Sequence, residues 1–274
     1  MGVTSVCADG RADGNVPATA FLTAVARARA TADADGTLHD PFAARFAELC
    51  PSAIRGITRY TVGTAVVVAR TVLIDRMLAD LLSRERVDTC VNLGAGFDSR
   101  PFRMEWPGHC RVVEVDSAPV LDLKDRLLPS ADAGVPVERL RCDLNDTARL
   151  TGLLLPRAAG RRCVVVAEGL LTYLPRPAVR SLAHALALLG PSTTWICDVL
   201  SSDAARRLSH ASQVSGVPLE MHAHARLSLY EEAGWHCEQV EPLPSARLTR
   251  NAAASSRLLP DSVLRLRRRG IVTD

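Results

Sequence analysis

The stretch VNLGAGFDSRPFRM, residues 91–104, decides the fold of this chain of 274 residues. A short apolar run meets Gly94 and Gly96 here, which is the pattern of a strand that turns into a helix across a ligand-binding loop. Glycine is needed in such a loop because a Cβ atom would collide with the ligand or with the tight turn. A dinucleotide-binding loop would carry a third glycine where Ser99 stands, and Asp98 adds a negative charge. The stretch therefore argues against a ligand that contains a pyrophosphate.

The next strand ends in the acid Asp116, which stands 20 residues after Gly96. An acid at this distance accepts hydrogen bonds from the hydroxyls of a ribose. A ligand with a ribose but no pyrophosphate points to S-adenosyl-L-methionine as the cofactor. Two alternatives remain at this point: a plain glycine turn beside a surface acid, and a nicotinamide-dependent oxidoreductase on the same kind of sheet.

Short apolar strands alternate with helical stretches along the rest of the chain. Strands are predicted at 88–94, 110–116, 137–144, 163–169 and 193–199, and again after Gly234. Continuous β-branched runs separated by helices are typical of a parallel sheet that is covered on both faces. Most of these strands end in an acid or a glycine, and ligands bind beyond the carboxyl ends of such strands. The sequence predicts an α/β fold with a mostly parallel sheet and a polar, cofactor-sized crevice.

The strand pattern also predicts the organisation of the chain. Residues 1–16 show no apolar period and are expected to be flexible. Residues 17–86 are helical in composition and form a predicted lid or N-terminal extension. Residues 87–274 form the predicted core, with an insertion over the crevice at about 200–228, where the alternation of strands and helices lapses.

Two helices of the extension have clear sequence signals. Asp40 is the predicted N-cap of a helix that runs to about Glu48, with Pro41 at its first position. A longer helix is predicted over 52–86, because its apolar residues recur on one broad face. Arg70 lies on this predicted helix, and one interpretation is that its side chain extends from an apolar surface.

The composition excludes several classes of protein. A net charge of +3 is too small to indicate a nucleic-acid-binding protein, and the dense basic run at 265–270 is interpreted as a solvated face or a frayed tail. The eight cysteines lack the spacing of a zinc site or of a disulfide framework, so we expect no metal and a cytoplasmic location. No apolar stretch is long enough to span a bilayer, so we expect a soluble protein without a membrane partner.

Several segments together resemble the leucine carboxyl methyltransferase family, a branch of the Rossmann-like S-adenosylmethionine-dependent methyltransferases. The closest likeness is to bacterial members that act on polyketides and other small molecules. The segments are DPFA at 40–43, NLGAGFDSRPFRM at 92–104, VVEVDSAPVLDLK at 112–124, CDLND at 142–146, VVVAEGLLTYLP at 164–175 and EEAGW at 231–235. The resemblance covers roughly residues 17–240 and implies an enzyme that takes a methyl group from S-adenosyl-L-methionine.

The resemblance implies roles at the ends of three strands. Gly94, Ala95 and Gly96 match the loop that passes the methionine part of the cofactor, and Asp116 matches the acid on the ribose. Glu168 matches the glutamate that faces the amino group of the cofactor. These residues are expected to meet at the carboxyl edge of the sheet.

The resemblance also implies residues at the two ends of the cofactor. Asp143 and Leu144 match the pair beside the adenine, and Arg70 matches the arginine that pairs with the cofactor carboxylate. A second basic residue is expected near that carboxylate on the first helix. Arg29 is the candidate, and Arg27 is the alternative.

No catalytic residue is assigned from the sequence. Tyr173 either lines the substrate pocket or is a core aromatic residue, and His222 and His224 either line the pocket, act as a general base or lie in a surface loop. Asp98 and Arg100 either form a salt bridge that shapes the loop or contact the substrate. A carboxylate acceptor is ionised at neutral pH and needs no base, whereas a phenol, indole or amine can need one.

The expected partner is a small molecule. The leading acceptor is a carboxylate of a natural product, methylated to its ester, and the runner-up is C- or N-methylation of an aromatic, indole-type scaffold. A homodimer is left open as the assembly.

Overall fold

The computed structural model describes residues 16–33, 36–51, 62–214, 218–244 and 259–268. Residues 1–15 of the predicted flexible segment and 52–61 of the predicted long helix lie outside these ranges. The helices before the first strand are α1 (Ala18–Ala32), α2 (Ala43–Glu48) and α3 (Val62–Arg84). The carboxylate of Asp40 accepts hydrogen bonds from the amides of Phe42 and Ala43, as a capping side chain does. The helix itself begins at Ala43 with Phe42 as its N-cap, so the predicted start is wrong by two residues and Pro41 lies in the turn that leads into α2.

A sheet of seven strands forms the centre of the described fold. Its strands are β1 (Thr89–Leu93), β2 (Arg111–Asp116), β3 (Val137–Arg141), β4 (Cys163–Ala167), β5 (Thr193–Val199), β6 (Trp235–Pro242) and β7 (Ser262–Arg268). In the order β3-β2-β1-β4-β5-β7-β6, the first five strands are parallel and β7 is antiparallel to both of its neighbours. The predicted mostly parallel sheet is confirmed. The chain order reverses between β1 and β4, where open α/β sheets bind their ligands.

Helices cover both faces of this sheet. Those after β1 are α4 (Arg100–Arg103), α5 (Ala118–Leu127), α6 (Thr147–Ala158), α7 (Arg176–Ala187), α8 (Ser202–Val214) and α9 (Ser228–Glu231). Val91 and Leu93 of β1 pack in a core with residues of α6 and α7, whereas Cys90 packs in a second core with residues of α3. All five residues of β1 are buried, as expected of a strand that is covered on both faces. Helix α3, from the predicted N-terminal extension, thus covers one face of the sheet.

The structure of the basic run at 265–270 differs from the one predicted from the sequence. Its residues Arg265–Arg268 belong to β7, which lies between β5 and β6 inside the sheet. The interpretation as a solvated face or a frayed tail is wrong for these residues, because Arg265 and Arg267 pair with acids and Arg268 donates to backbone carbonyls. Arg267, for example, donates from Nε to Oε1 of Glu238 at 2.7 Å and also pairs with Glu85. The apolar residues that alternate with the arginines complete the core.

The predicted insertion at about 200–228 contains α8 and a returning segment. The amide of His222 donates to the carbonyl of Thr172 at 2.7 Å, and the amide of His224 donates to the carbonyl of Leu200 at 3.2 Å. These bonds tie the segment to the chain that follows β4 and β5. No helix among the described residues is both long enough and apolar enough to cross a membrane.

Candidate functional site

A cleft lies at the carboxyl edge of the sheet, beside the point where the strand order reverses. Its lining combines the loop after β1 with side chains from α1, α3 and the end of β4: Thr23, Arg27, Arg70, Asn92, Gly94, Ala95, Gly96, Phe97, Asp98 and Glu168. Five of the nine residues predicted to bind the cofactor are in this set. The topology brings them together because parallel strands end at the same edge.

The glycine loop requires glycine at two positions. Gly94 has φ +63° and Gly96 has φ +43°, in the left-handed region that other residues rarely adopt. A Cβ atom on Gly94 would also lie 3.1 Å from Cδ1 of Leu170. The amide of Gly96 donates to Oδ2 of Asp116 at 2.8 Å, so the loop is held by the acid that ends β2. Burial raises the pKa of Asp116, and the hydrogen bonds from the amides of Gly96 and Ser117 offset part of that rise.

The two residues that depart from the dinucleotide pattern have internal partners. Oδ2 of Asp98 accepts hydrogen bonds from Nδ2 of Asn92 and Nη1 of Arg100, both at 2.7 Å. Burial acts to raise the pKa of Asp98, but the charges of Arg100, Lys124 and Arg103 outweigh it and hold the pKa well below its usual range. The salt bridge between Asp98 and Arg100, one of the two alternatives, is therefore present and shapes the loop.

Glu168 is held by three side chains. Its Oε1 accepts from Oγ1 of Thr71 at 2.6 Å and Nε of Arg70 at 3.2 Å, and its Oε2 accepts from Nη2 of Arg100 at 2.6 Å. Burial favours the neutral acid, but the Arg100 and Arg70 charges outweigh burial and lower the pKa of Glu168 to about 2. Glu168 is therefore a fixed negative charge at neutral pH.

Arg70 is clamped between the ends of β4 and β5. Besides Glu168 it contacts Asp198, whose Oδ2 accepts from Nη1 of Arg70 at 3.2 Å and whose Oδ1 accepts from the amide of Gly169 at 2.6 Å. Burial raises the pKa of Asp198, which is 3% exposed. The role of Asp198 could not be predicted from the sequence, because its partner Arg70 lies 128 residues away in the chain.

The predicted adenine-side residues lie outside the cleft, at the end of β3. The amide of Cys142 donates to the carbonyl of Asp116 at 2.9 Å, which places Asp143 and Leu144 beside the predicted ribose acid. Asp143 is exposed, and its Oδ1 accepts from the amide of Asn145 at 2.9 Å. Leu144 packs against the core. Their contact with the adenine stays a prediction.

The first helix places Arg27, and not Arg29, in the cleft. Arg27 is 6% exposed, and its Nη2 donates to the carbonyl of Phe97 at 2.6 Å. Arg29 lies in the last turn of α1, outside the lining of the cleft. Two residues along a helix turn a side chain by about 200°, so the two arginines point to different sides. Arg27, the alternative of the sequence analysis, is the better placed candidate.

The three catalytic candidates, Tyr173, His222 and His224, lie in different surroundings. Tyr173 is 37% exposed, yet burial raises the pKa of its hydroxyl and the charge of Arg70 offsets part of the rise. His224 is buried, its Nε2 lies 2.9 Å from the carbonyl oxygen of Leu174, and burial lowers its pKa. His222 lines a separate groove along α8. Of the three, Tyr173 is the one that interacts electrostatically with a residue of the cleft.

A model of the leucine carboxyl methyltransferase family matches residues 20–187. The chain belongs to this family. The match begins in α1 and ends with α7, so it includes every residue that lines the cleft.

Similar proteins agree with this membership. A Frankia alni protein described as an S-adenosyl-L-methionine-dependent methyltransferase is 34% identical over 73% of this chain and 77% of its own length. A Streptomyces avermitilis protein of the same description is 37% identical over 60% of this chain and 62% of its own length. The enzyme is therefore an S-adenosyl-L-methionine-dependent methyltransferase, as the sequence predicted, and not the oxidoreductase of the alternative.

Solved structures share the fold at low sequence identity. A DUF574 family protein from Streptomyces avermitilis superposes with a TM-score of 0.60 at 16% identity, covering 92% of this chain and 97% of that chain. The magnesium protoporphyrin IX methyltransferase of Synechocystis, with bound S-adenosylhomocysteine, superposes with a TM-score of 0.52 at 14% identity, covering 76% of this chain and 88% of that chain. The Rossmann-like methyltransferase fold is confirmed.

Gly169 offers a direct test of the Arg70 clamp in this methyltransferase. Its φ is +63°, and a Cβ atom would lie 2.8 Å from Nη2 of Arg70. We expect Gly169→Ala to lose about 1–2 kcal/mol of stability from the left-handed conformation and also to weaken binding of S-adenosylmethionine. Denaturant unfolding and titration calorimetry would measure the two effects.

Gly160→Ala is the matched control for this prediction. Gly160 has φ +72°, and nothing lies within 4 Å of the Cβ position. It should therefore lose similar stability and bind the cofactor normally. Equal cofactor affinities of the two variants would contradict the role given to the clamp.

Proposed function

We propose that this methyltransferase converts a carboxylic acid of a small-molecule natural product into its methyl ester. One observation carries the choice of acceptor: the acids that line the cleft, Asp98 and Glu168, are ion-paired and have lowered pKa values. Such carboxylates are weak bases at neutral pH. A carboxylate acceptor is already ionised there and needs no base, which matches this lining. The family description, leucine carboxyl methyltransferase, names the same acceptor group.

The charges of the cleft residues suit the amino acid part of the cofactor. We expect the carboxylate of S-adenosyl-L-methionine to pair with Arg70 and Arg27, because buried guanidinium groups bind carboxylates through charge-assisted hydrogen bonds. We expect its amino group to face Glu168, which is ionised at neutral pH. The loop of Gly94 and Gly96 gives close backbone approach, since side chains there would fill the cradle.

The other half of the cofactor fits the ends of β2 and β3. We expect Asp116 to accept hydrogen bonds from the ribose hydroxyls, and Asp143 and Leu144 to contact the adenine. The cofactor supplies a methyl group activated by a sulfonium leaving group, and the protein binds, orients and shields the reactants from water. Glu168 after β4 and Asp198 of β5 hold the guanidinium of Arg70 in place. We expect Arg70 in turn to set the position of the methionine part relative to the acceptor.

The remaining titratable candidates also favour an acceptor that is ionised in solution. The pKa of Tyr173 is raised by burial, so its phenol is neutral at pH 7 and a poor base. The imidazole of His224 is buried and held at the carbonyl of Leu174. His222 lines the groove along α8 and not the cleft. Within the described residues, the cleft thus lacks a side chain suited to deprotonate a phenol or an amine.

The acceptor can be tested with the purified enzyme and S-adenosylmethionine labelled in its methyl group. Each candidate acid is assayed beside its primary amide and beside a phenol on the same scaffold. We expect label to enter the acid alone and to be released as methanol by mild base, because esters hydrolyse and C- or N-methyl groups do not. Label that survives base, or that enters the phenol or a ring nitrogen, would favour the runner-up and overturn the ester.

A further inference from the structure

Asp40 joins the N-terminal helices to the glycine loop. It lies between α1 and α2 and is 1% exposed. Its Oδ1 accepts from Oγ of Ser99 at 2.7 Å, in addition to the two amides that it caps. Its Oδ2 accepts from Nε of Arg27 at 2.9 Å. One buried carboxylate therefore connects α2, an arginine of α1 and the residue that replaces the third glycine of the loop.

The same elements meet a second time at Phe97. Its carbonyl accepts from Nη2 of Arg27 at 2.6 Å, and its ring stacks on Phe46 of α2 at 4.2 Å between centroids. Phe21 of α1 packs edge-on against the same ring at 5.2 Å. Arg27 and Phe97 both line the cleft. The conformation of the loop beside the cofactor is thus linked to α1 and α2 by polar and aromatic contacts.

Helix capping alone does not account for Asp40. An N-cap needs one acceptor for the amides of the first turn, and an uncharged asparagine or serine supplies it equally well. A buried charge costs stability unless partners satisfy it, and here the extra partners are Arg27 and Ser99. Both partners are tied to the cleft, Arg27 as part of its lining and Ser99 through the neighbouring loop residues.

We propose that Asp40 is a positioning residue for the methionine half of the cofactor site, acting through Arg27 and through Ser99 at the end of the glycine loop. The inference rests on the proposed placement of the cofactor carboxylate at Arg70 and Arg27. Asp40 does not line the cleft, so its effect is transmitted by the guanidinium it orients and by the loop it anchors. The adenine-side residues after β3 lie outside this connection, and the ribose acid Asp116 meets the glycine loop at the amide of Gly96, not at Asp40 or Arg27.

The test compares two ligands that differ only in the amino acid part. S-adenosylhomocysteine carries the carboxylate and amino group, and 5′-methylthioadenosine lacks both. Asp40→Asn keeps an oxygen for the amides of α2 but replaces the acceptor of Arg27 with a donor. We expect the affinity for S-adenosylhomocysteine to fall roughly tenfold or more, as for a lost charge-assisted hydrogen bond, and that for 5′-methylthioadenosine to stay unchanged.

Ser99→Ala removes a single contact and should shift S-adenosylhomocysteine binding in the same direction by a smaller factor. Asp88→Asn is the matched control, because Asp88 also binds an arginine Nε and a backbone amide, but at the opposite edge of the sheet. It should leave both affinities unchanged. Thermal unfolding of each variant shows that it is folded at the temperature of the titration.

Two results would overturn the proposal. If Asp40→Asn weakens both ligands equally, or neither, Asp40 acts on general stability or on helix capping only. If the wild-type protein itself binds the two ligands equally well, the cofactor carboxylate is not at Arg70 and Arg27. That second result would remove the proposed placement together with the role of Asp40, whereas the first would leave the placement intact.

Discussion

Replacing Asp116 with alanine should weaken the binding of S-adenosylmethionine by about two orders of magnitude or more, since two charge-assisted hydrogen bonds to ribose hydroxyls would be lost. The same change frees the amide of Gly96, which donates to Oδ2 of Asp116, and so loosens the glycine loop. Titration calorimetry with S-adenosylmethionine measures the effect. Asp116→Asn should give an intermediate loss, because it keeps one acceptor oxygen.

Asp122→Asn provides the control for this change. Asp122 lies on α5, just beyond β2, and its exposed side chain pairs with Arg141. Exposed ion pairs of this kind contribute little to stability, so the variant should bind the cofactor like the wild type. Normal affinity of Asp116→Ala would show that the acid at the end of β2 is not the ribose ligand.

Replacing Arg70 with lysine should raise the KM for S-adenosylmethionine by about 100-fold, because lysine keeps the charge but not the planar, forked donor set. Glu168 and Asp198 would also lose the guanidinium that joins them, although Glu168 keeps Thr71 and Arg100 as partners. Arg70→Ala should cost about 3–5 kcal/mol of stability in addition, since two buried acids would be left without its charge. Initial-rate kinetics and denaturant unfolding measure the two effects separately.

Arg76→Lys is the matched variant on the same helix. Arg76 lies on the exposed side of α3, away from the cleft, so its KM for the cofactor should not change. A wild-type KM for Arg70→Lys, with the enzyme saturated by acceptor, would reject Arg70 as the partner of the cofactor carboxylate.

The sequence predicted the parts of the site that follow from local pattern. The loop of Gly94 and Gly96 and the acid Asp116 were predicted from strand ends, which carry ligands in parallel sheets, whereas the role of Glu168 was predicted from the family resemblance. The pairing between these ends was not predictable, since Arg100 meets Glu168 68 residues away and Arg70 meets Asp198 128 residues away. Such contacts depend on the order of strands in the sheet, which local pattern does not encode.

Two differences between the sequence interpretation and the structure have simple physical causes. Arg27 lines the cleft and Arg29 does not, because a shift of two residues turns a helical side chain by about 200°, and only packing decides which face meets the loop. The basic run at 265–270 is not simply solvated, because Leu264 and Leu266 alternate with Arg265 and Arg267 in β7 and are buried. The density of charge obscures the alternating pattern of a strand in this run. In the folded protein, acids on other elements pair with Arg265 and Arg267, so these arginines fit in a strand inside the sheet.

The position of β7 has a consequence for the order of events during protein synthesis. Residues 262–268 lie between β5 and β6, so β6 joins the sheet only through a strand that leaves the ribosome after it. Until then β5, which ends in the Arg70 partner Asp198, presents an open edge. We therefore expect this edge of β5 to stay open until residues 262–268 have been synthesised, and a chaperone that covers it would act before β7 pairs with β5.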